Sequence, residues 1–221
     1  MNDALAMTIE LDHLVFAAHT LEQGVAAIGQ ALGVQPTGGG RHDAMGTHNK
    51  VLRLGDGQYL EVIAIDPRGA QPATPRWFGL DDPAMQQVLR ERPRLITWVA
   101  RTTALCDDIS ALPVPITVRS LSRGALHWQF GFTVDGALIG DGVIPHLIEW
   151  DADAAHPTIA MPNAGLRLVG LRGFHVRPEA VSASIAALGL SRQCVVRKTA
   201  PMQPASLQAM IETPDGVVIL E

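Results

Sequence analysis

Cysteine is scarce in this 221-residue chain: there are two, Cys106 and Cys194, and neither belongs to a Cys-x-x-Cys spacing. A zinc ribbon or redox dithiol has nothing to be built from, and both thiols read as small core residues in a reducing compartment. Concentrated positive charge is missing too. The 17 Lys and Arg are scattered among 22 Asp and Glu, for a net charge of −5, whereas a nucleic-acid binder gathers cations on one face to meet phosphates. No apolar run approaches the length that spans a bilayer. Met1-Asn2-Asp3 opens without the basic and apolar stretches of a signal peptide, so the cytoplasm is the expected compartment, with neither nucleic acid nor membrane as partner. What is present is 47% hydrophobic and 18% charged, a balance that buries a core and excludes disorder.

Three stretches share one grammar. Ile9 to Phe16 alternates Leu11, His13 and Val15 against Asp12, Leu14 and Phe16, the period of a two-faced strand. Thr20 and Gln23 then offer a capping box. Leu21, Val25, Ile28 and Leu32 fall on one helical stripe, and Gly33 suits a left-handed cap. Leu166 to Val176, Pro178, the stripe Val181, Ile185 and Leu188, and Gly189 repeat the pattern. The middle copy is worn: strand Arg94 to Arg101, a short stripe of Leu105, Ile109 and Leu112, then Pro113 and Pro115. Further strands follow in each: Asn49 to Leu54 and Gln58 to Ile65, Trp128 to Val134 and Val143 to Trp150, Leu207 to Ile211 and Val217 to Leu220. Modules are therefore expected at 8–66, 93–151 and 164–221. The joint 67–92 holds a short helix capped by Asp82 with Pro83 in its first turn, and 152–163 is a loop. An odd number of modules leaves one without a partner, so a homodimer is expected.

His13 and Glu61 carry the chemistry. Each stands on a strand with apolar neighbours, Leu11 and Val15 beside the first and Tyr59 and Ile63 beside the second. A carboxylate there is costly unless a cation, a metal or donors compensate it. Taken alone, His13 reads as a satisfied core histidine and Glu61 as part of a solvated face; together they occupy the first and last strands of one module and can converge. Imidazole with carboxylate suits iron, zinc, manganese or nickel. Gly38-Gly39-Gly40 leads a polar loop containing His42, His48 and Asn49, expected to be flexible and to bind substrate. His127 precedes its strand as His48 does, and Glu149 is the middle module's counterpart of Glu61, its face depending on a one-residue register. Trp128 and Trp150 read as core or pocket wall, with Trp150 placed among the substrate-binding residues. His19, His156 and His175 read as surface or structural.

Leu11-Asp12-His13-Leu14-Val15, Gly39-Gly40-Arg41-His42, Gly46-Thr47-His48-Asn49, Tyr59-Leu60-Glu61-Val62-Ile63 and Pro145-His146-Leu147-Ile148-Glu149-Trp150 resemble the glyoxalase-like domain family of the vicinal-oxygen-chelate superfamily. The resemblance implies an α+β fold in which βαβββ modules form a cupped half-barrel with helices outside. It also implies a divalent metal held from the first and last strands of paired modules, hence His13 and Glu61. The middle module's matching first-strand position falls near Trp98, which cannot ligate, so a second histidine would come from His42, His48 or His127. The activity implied is Lewis-acid chemistry on a small vicinally oxygenated molecule, with Glu149 as candidate base. The other reading is a metal-free small-molecule binding or resistance protein, with Trp98, Trp128 and Trp150 as its aromatic surface.

Overall fold

The computed structural model describes residues 9–221. Met1-Asn2-Asp3 and position 8, the expected first residue of the first module, lie outside the described residues. Among the described residues there are twelve strands: β1 (Glu10–Ala17), β2 (Thr37–His42), β3 (Thr47–Arg53), β4 (Tyr59–Ile65), β5 (Arg94–Arg101), β6 (Ile116–Arg123), β7 (Leu126–Thr133), β8 (His146–Trp150), β9 (Arg167–His175), β10 (Cys194–Lys198), β11 (Ser206–Thr213) and β12 (Gly216–Leu220). The helices are α1 (Leu21–Leu32), α2 (Pro83–Glu91), α3 (Leu105–Asp108) and α4 (Pro178–Ala187). Local chemistry places them where expected. Thr20 Oγ1 accepts from the Gln23 amide at 3.2 Å, and Gly33 closes α1 at φ 71°. Asp82 caps α2, with Pro83 in its first turn.

The first eight strands form one mixed sheet in the order β2-β3-β4-β1-β5-β8-β7-β6, curled into a half-barrel. The first and middle modules join through the antiparallel β1–β5 pair, and in each the first strand runs parallel to the last. The third module has the same chain order but another arrangement, a separate sheet ordered β10-β9-β11-β12. Its apolar face (Leu171, Leu207, Ala209, Ile211, with Val181 and Ile185 of α4) shares one core with Leu14, Phe16, Leu60, Val62 and Trp98 on the half-barrel's convex side. Trp98 is fully buried there, its indole N–H donating to the Val143 carbonyl at 2.8 Å, and so belongs to no ligand surface. The module expected to lack an internal partner has found one within the chain. No helix among the described residues is long and apolar enough to cross a membrane.

Two features set up the concave side. In β1 the register slips between Leu11 and His13, so Leu11 packs outward with Leu14 and Phe16 rather than inward with His13. Such a bulge re-aims side chains, and here it brings Asp12 and His13 to the same place. The segment between β4 and α2 folds back over the cup and inserts Trp77 and Phe78 into a second core with Val15, Ile63, Val99, Phe130 and Phe132. Phe78 sits at φ 61°, costly for a bulky residue and held by burial on every side.

Candidate functional site

The concave face ends in a small, partly open chamber of about 30 Å³, room for one or two waters. His13, Tyr59, Glu61, Asn49, His42 and Arg123 form its polar part, and Trp128, Phe130, Ile148 and Trp150 its wall. Alternation delivers them: Tyr59, Glu61 and Ile63 point inward from β4, while Leu60, Val62 and Ala64 face the convex core.

The expected pair meets. His13 Nε2 lies 3.8 Å from Glu61 Oε2, and both residues are buried. On its other nitrogen, His13 Nδ1 donates to Asp12 Oδ1 at 2.6 Å. Asp12 Oδ2 accepts from the Trp150 indole and from His156 Nε2, both at 2.9 Å. Burial alone would raise the Asp12 carboxyl, but hydrogen bonds from His13 and His156 outweigh it and hold the group well below the usual carboxylate range. A carboxylate so fixed keeps a hydrogen on Nδ1 and leaves Nε2 facing Glu61 and the chamber. The Tyr59 ring stacks on the imidazole, centroids 4.6 Å apart.

Glu61 is held in turn. Asn49 Nδ2 donates to Glu61 Oε1 at 2.5 Å, while Asn49 Oδ1 accepts from the Gly40 amide and from Arg123 Nη1, each at 2.9 Å. Arg123 Nη1 also lies 3.1 Å from His42 Nε2. Burial, then the Arg123 charge, lowers His42 to about 3, so the ring is neutral. With a guanidinium facing Nε2, the remaining hydrogen sits on Nδ1 and goes to Thr47 Oγ1 at 3.1 Å.

The triglycine is therefore no loose loop. It lies in edge strand β2, where a Cβ on Gly39 would fall 2.2 Å from the Asn49 carbonyl and one on Gly40 3.0 Å from the Arg123 side chain. Arg123, at the end of β6, crosses Gly40 to reach Asn49 and so ties together the two outer strands of the sheet.

His13, Glu61, His42, Asn49 and Trp150 all line the chamber. Three other expectations need correction. Glu149 sits between Ile148 and Trp150, so the pleat turns it outward, where Oε2 accepts from the Leu105 amide at the start of α3 (2.9 Å). It cannot serve as base. His127 alternates with the inward Trp128 and is exposed. His48 alternates with the inward Asn49, and its charge neighbours are Asp66 and Glu22 rather than the chamber groups. His156 and His175, read as surface or structural, are partners of Asp12 and Asp141 respectively. Asp12 and Arg123 were missed altogether. The bulge hides the first, and nothing near the second in sequence marks it.

The donor set does not complete a metal site. Among the described residues, no group of three or more His, Cys, Asp or Glu side chains comes together that could hold an ion. His13 and Glu61 supply two ligands where catalytic centres use about three. The candidate third ligand, His42, turns its lone pair to Arg123, a cation already built into the cluster.

No curated protein matches the sequence. Among solved structures, a hypothetical protein from Staphylococcus aureus superposes with a TM-score of 0.59 at 12% identity, covering 96% of this chain and 84% of that one. A methylmalonyl-CoA epimerase from Mycobacterium tuberculosis gives 0.43 at 16% identity, over 72% and 97%. A Streptomyces coelicolor methylmalonyl-CoA epimerase in complex with 2-nitronate-propionyl-CoA gives 0.42 at 17%, over 67% and 100%. The family model described as a glyoxalase-like domain matches residues 11–189, a span that takes in both modules of the cup and every residue of the chamber, and the chain belongs to that family.

Proposed function

We propose that this glyoxalase-like protein is an enzyme that moves a proton on a small vicinally oxygenated molecule, using His13 rather than a resident metal as the reacting group. The observation that carries this reading is His13 itself. One nitrogen is fixed by a buried carboxylate at 2.6 Å, and the other is presented to the chamber 3.8 Å from a second carboxylate. Asp12 sets the tautomer and orientation; Nε2 takes the proton; Glu61, steadied by Asn49, stabilises the imidazolium that results. Arg123 supplies a fixed positive charge where an enolate or oxyanion develops, and the aromatic wall keeps water from screening it.

The test is deuterium uptake from heavy water at the carbon alpha to a carbonyl, C2 of 2-hydroxy and C3 of 2-oxo carbonyl compounds in a panel, followed by proton NMR. His13→Gln should slow uptake by at least about a hundredfold. Unchanged exchange in that variant, or activity abolished by a chelator and restored by metal, would refute the proposal. The three inward tryptophans (Trp77, Trp128, Trp150) favour a second reading, a metal-free binding protein. Tight binding of a panel member, with no exchange and no turnover, would select it.

A further inference from the structure

A chamber of about 30 Å³ is too small for any whole substrate, so the rest of the molecule lies elsewhere. A groove of about 690 Å³ runs outside it, within the size range of ligand sites. The two spaces share Arg123, and the groove is also lined by His156, the residue that holds Asp12 from outside. Its surface is mostly apolar, with Val51, Leu126, Pro157, Ile159 and Met161 among the lining residues. Ile159 is 73% exposed, a large aliphatic side chain with little to cover it. Arg123 bonds outward through Nη1 alone, to Asn49 and His42, leaving its other guanidinium nitrogens without protein partners among the described residues. An anionic oxygen at the junction would meet them.

Resting on the proton-transfer reading above, we propose that the substrate is an anionic, vicinally oxygenated head, such as a 2-hydroxy or 2-oxo carboxylate, carrying an apolar tail. The head lies at Arg123 beside His13, and the tail fills the groove along Ile159 and Leu126. A tail ending in a phosphorylated carrier does not fit, because Arg123 is the only Lys or Arg among the described residues of the groove lining and Asp153 also faces it.

The test uses 2-hydroxybutyrate, 2-hydroxyoctanoate, 2-hydroxyoctanamide and coenzyme A, with binding read by tryptophan fluorescence and calorimetry. Affinity should rise from the four-carbon to the eight-carbon acid by up to about fourfold per methylene, and the amide should bind more weakly than its acid. Ile159→Asp, a surface change, should weaken 2-hydroxyoctanoate by at least about tenfold and leave 2-hydroxybutyrate within about twofold. Arg123→Gln should erase the preference for acid over amide. If 2-hydroxybutyrate binds but chain length has no effect, or Ile159→Asp acts equally on both acids, the groove assignment falls while the His13 chemistry stands. Coenzyme A binding more tightly than the acids would overturn the tail assignment. If no carboxylate binds and none exchanges deuterium, both fall together.

Discussion

Acid should unfold this protein through two histidines that the fold keeps neutral. Burial lowers His146 from 6.5 to about 4, the nearby His13 adding to the effect and a bond to the Gly131 carbonyl opposing it. Burial and Arg123 lower His42 from 6.5 to about 3. The unfolded chain takes up a proton at each ring near pH 6.5, while the folded chain does so only at the lowered value. Between those limits the unfolded state holds more protons, so stability falls as pH falls. Each unit is worth about 1.4 kcal/mol, so His146 contributes a loss of about 3 kcal/mol by pH 4, and His42 a similar loss over the same window. Their sum, roughly 6 kcal/mol, rivals the whole stability of an ordinary domain. Asp12 does not blur the effect, since its depressed carboxyl gives stability above the unfolded value of 3.8 that is lost only at lower pH. The decisive variant is His146→Leu. The ring stacks on Phe130 and meets Phe78 edge-on, with one long bond (3.3 Å) and an Nε2 that has no partner among the described residues. Leucine forfeits about 1 kcal/mol for the bond and removes the orphan atom, so the variant should match the parent within about 1 kcal/mol at pH 7.5. At pH 4 it should be more stable by about 3 kcal/mol. Urea titrations at several pH values between these limits would read the difference. Parallel stability curves for the two proteins would refute the argument.

Gly39→Ala forces a Cβ to within 2.2 Å of the Asn49 carbonyl at a φ of 74°, so it should cost more than about 2 kcal/mol in denaturant melts and displace the amide that holds Glu61. Glu149→Gln should leave activity unchanged, because that carboxylate caps α3 on the convex side; a stability loss of about 1 kcal/mol is its expected effect. Asp12→Asn keeps the shape but can no longer accept from His13, His156 and Trp150 at once, and should lower kcat at least about tenfold with the fold intact by circular dichroism. Retained kcat in Asp12→Asn would show that the orientation of His13 is immaterial.

Much of the cup was legible because its central strands obey simple rules. β1, β4 and β5 have apolar runs with a two-residue period, and helix α1 has its cap, stripe and terminal glycine. The edges were not legible. Three glycines made β2 read as a loop, since the reason they lie in a strand is the close approach of the Asn49 carbonyl to Gly39 and of the distant Arg123 side chain to Gly40. β6 went unread, and with it Arg123, which is 74 positions from Asn49 in sequence. Alternation settled which residues face inward only where register was known: a one-residue ambiguity cost Glu149, strands that start earlier than expected took in His127 and His48, and the bulge in β1 concealed Asp12. Pairing of imidazole with carboxylate could be foreseen from strand order. Arg123 and His156 could not, because they come from the other module and from the loop after it.

The arginine that crosses Gly40 gives the sheet a seam. Without it, β2 and β6 would be two loose borders of an open shell; with it, they are fastened by the same guanidinium that faces the chamber. Loosening the shell and recharging the interior are thus one event. An anion that recruits Arg123 tugs on both borders, so amide hydrogen exchange along β2 and β6 should register occupancy of a chamber that those strands touch only through His42 and Arg123 at their ends.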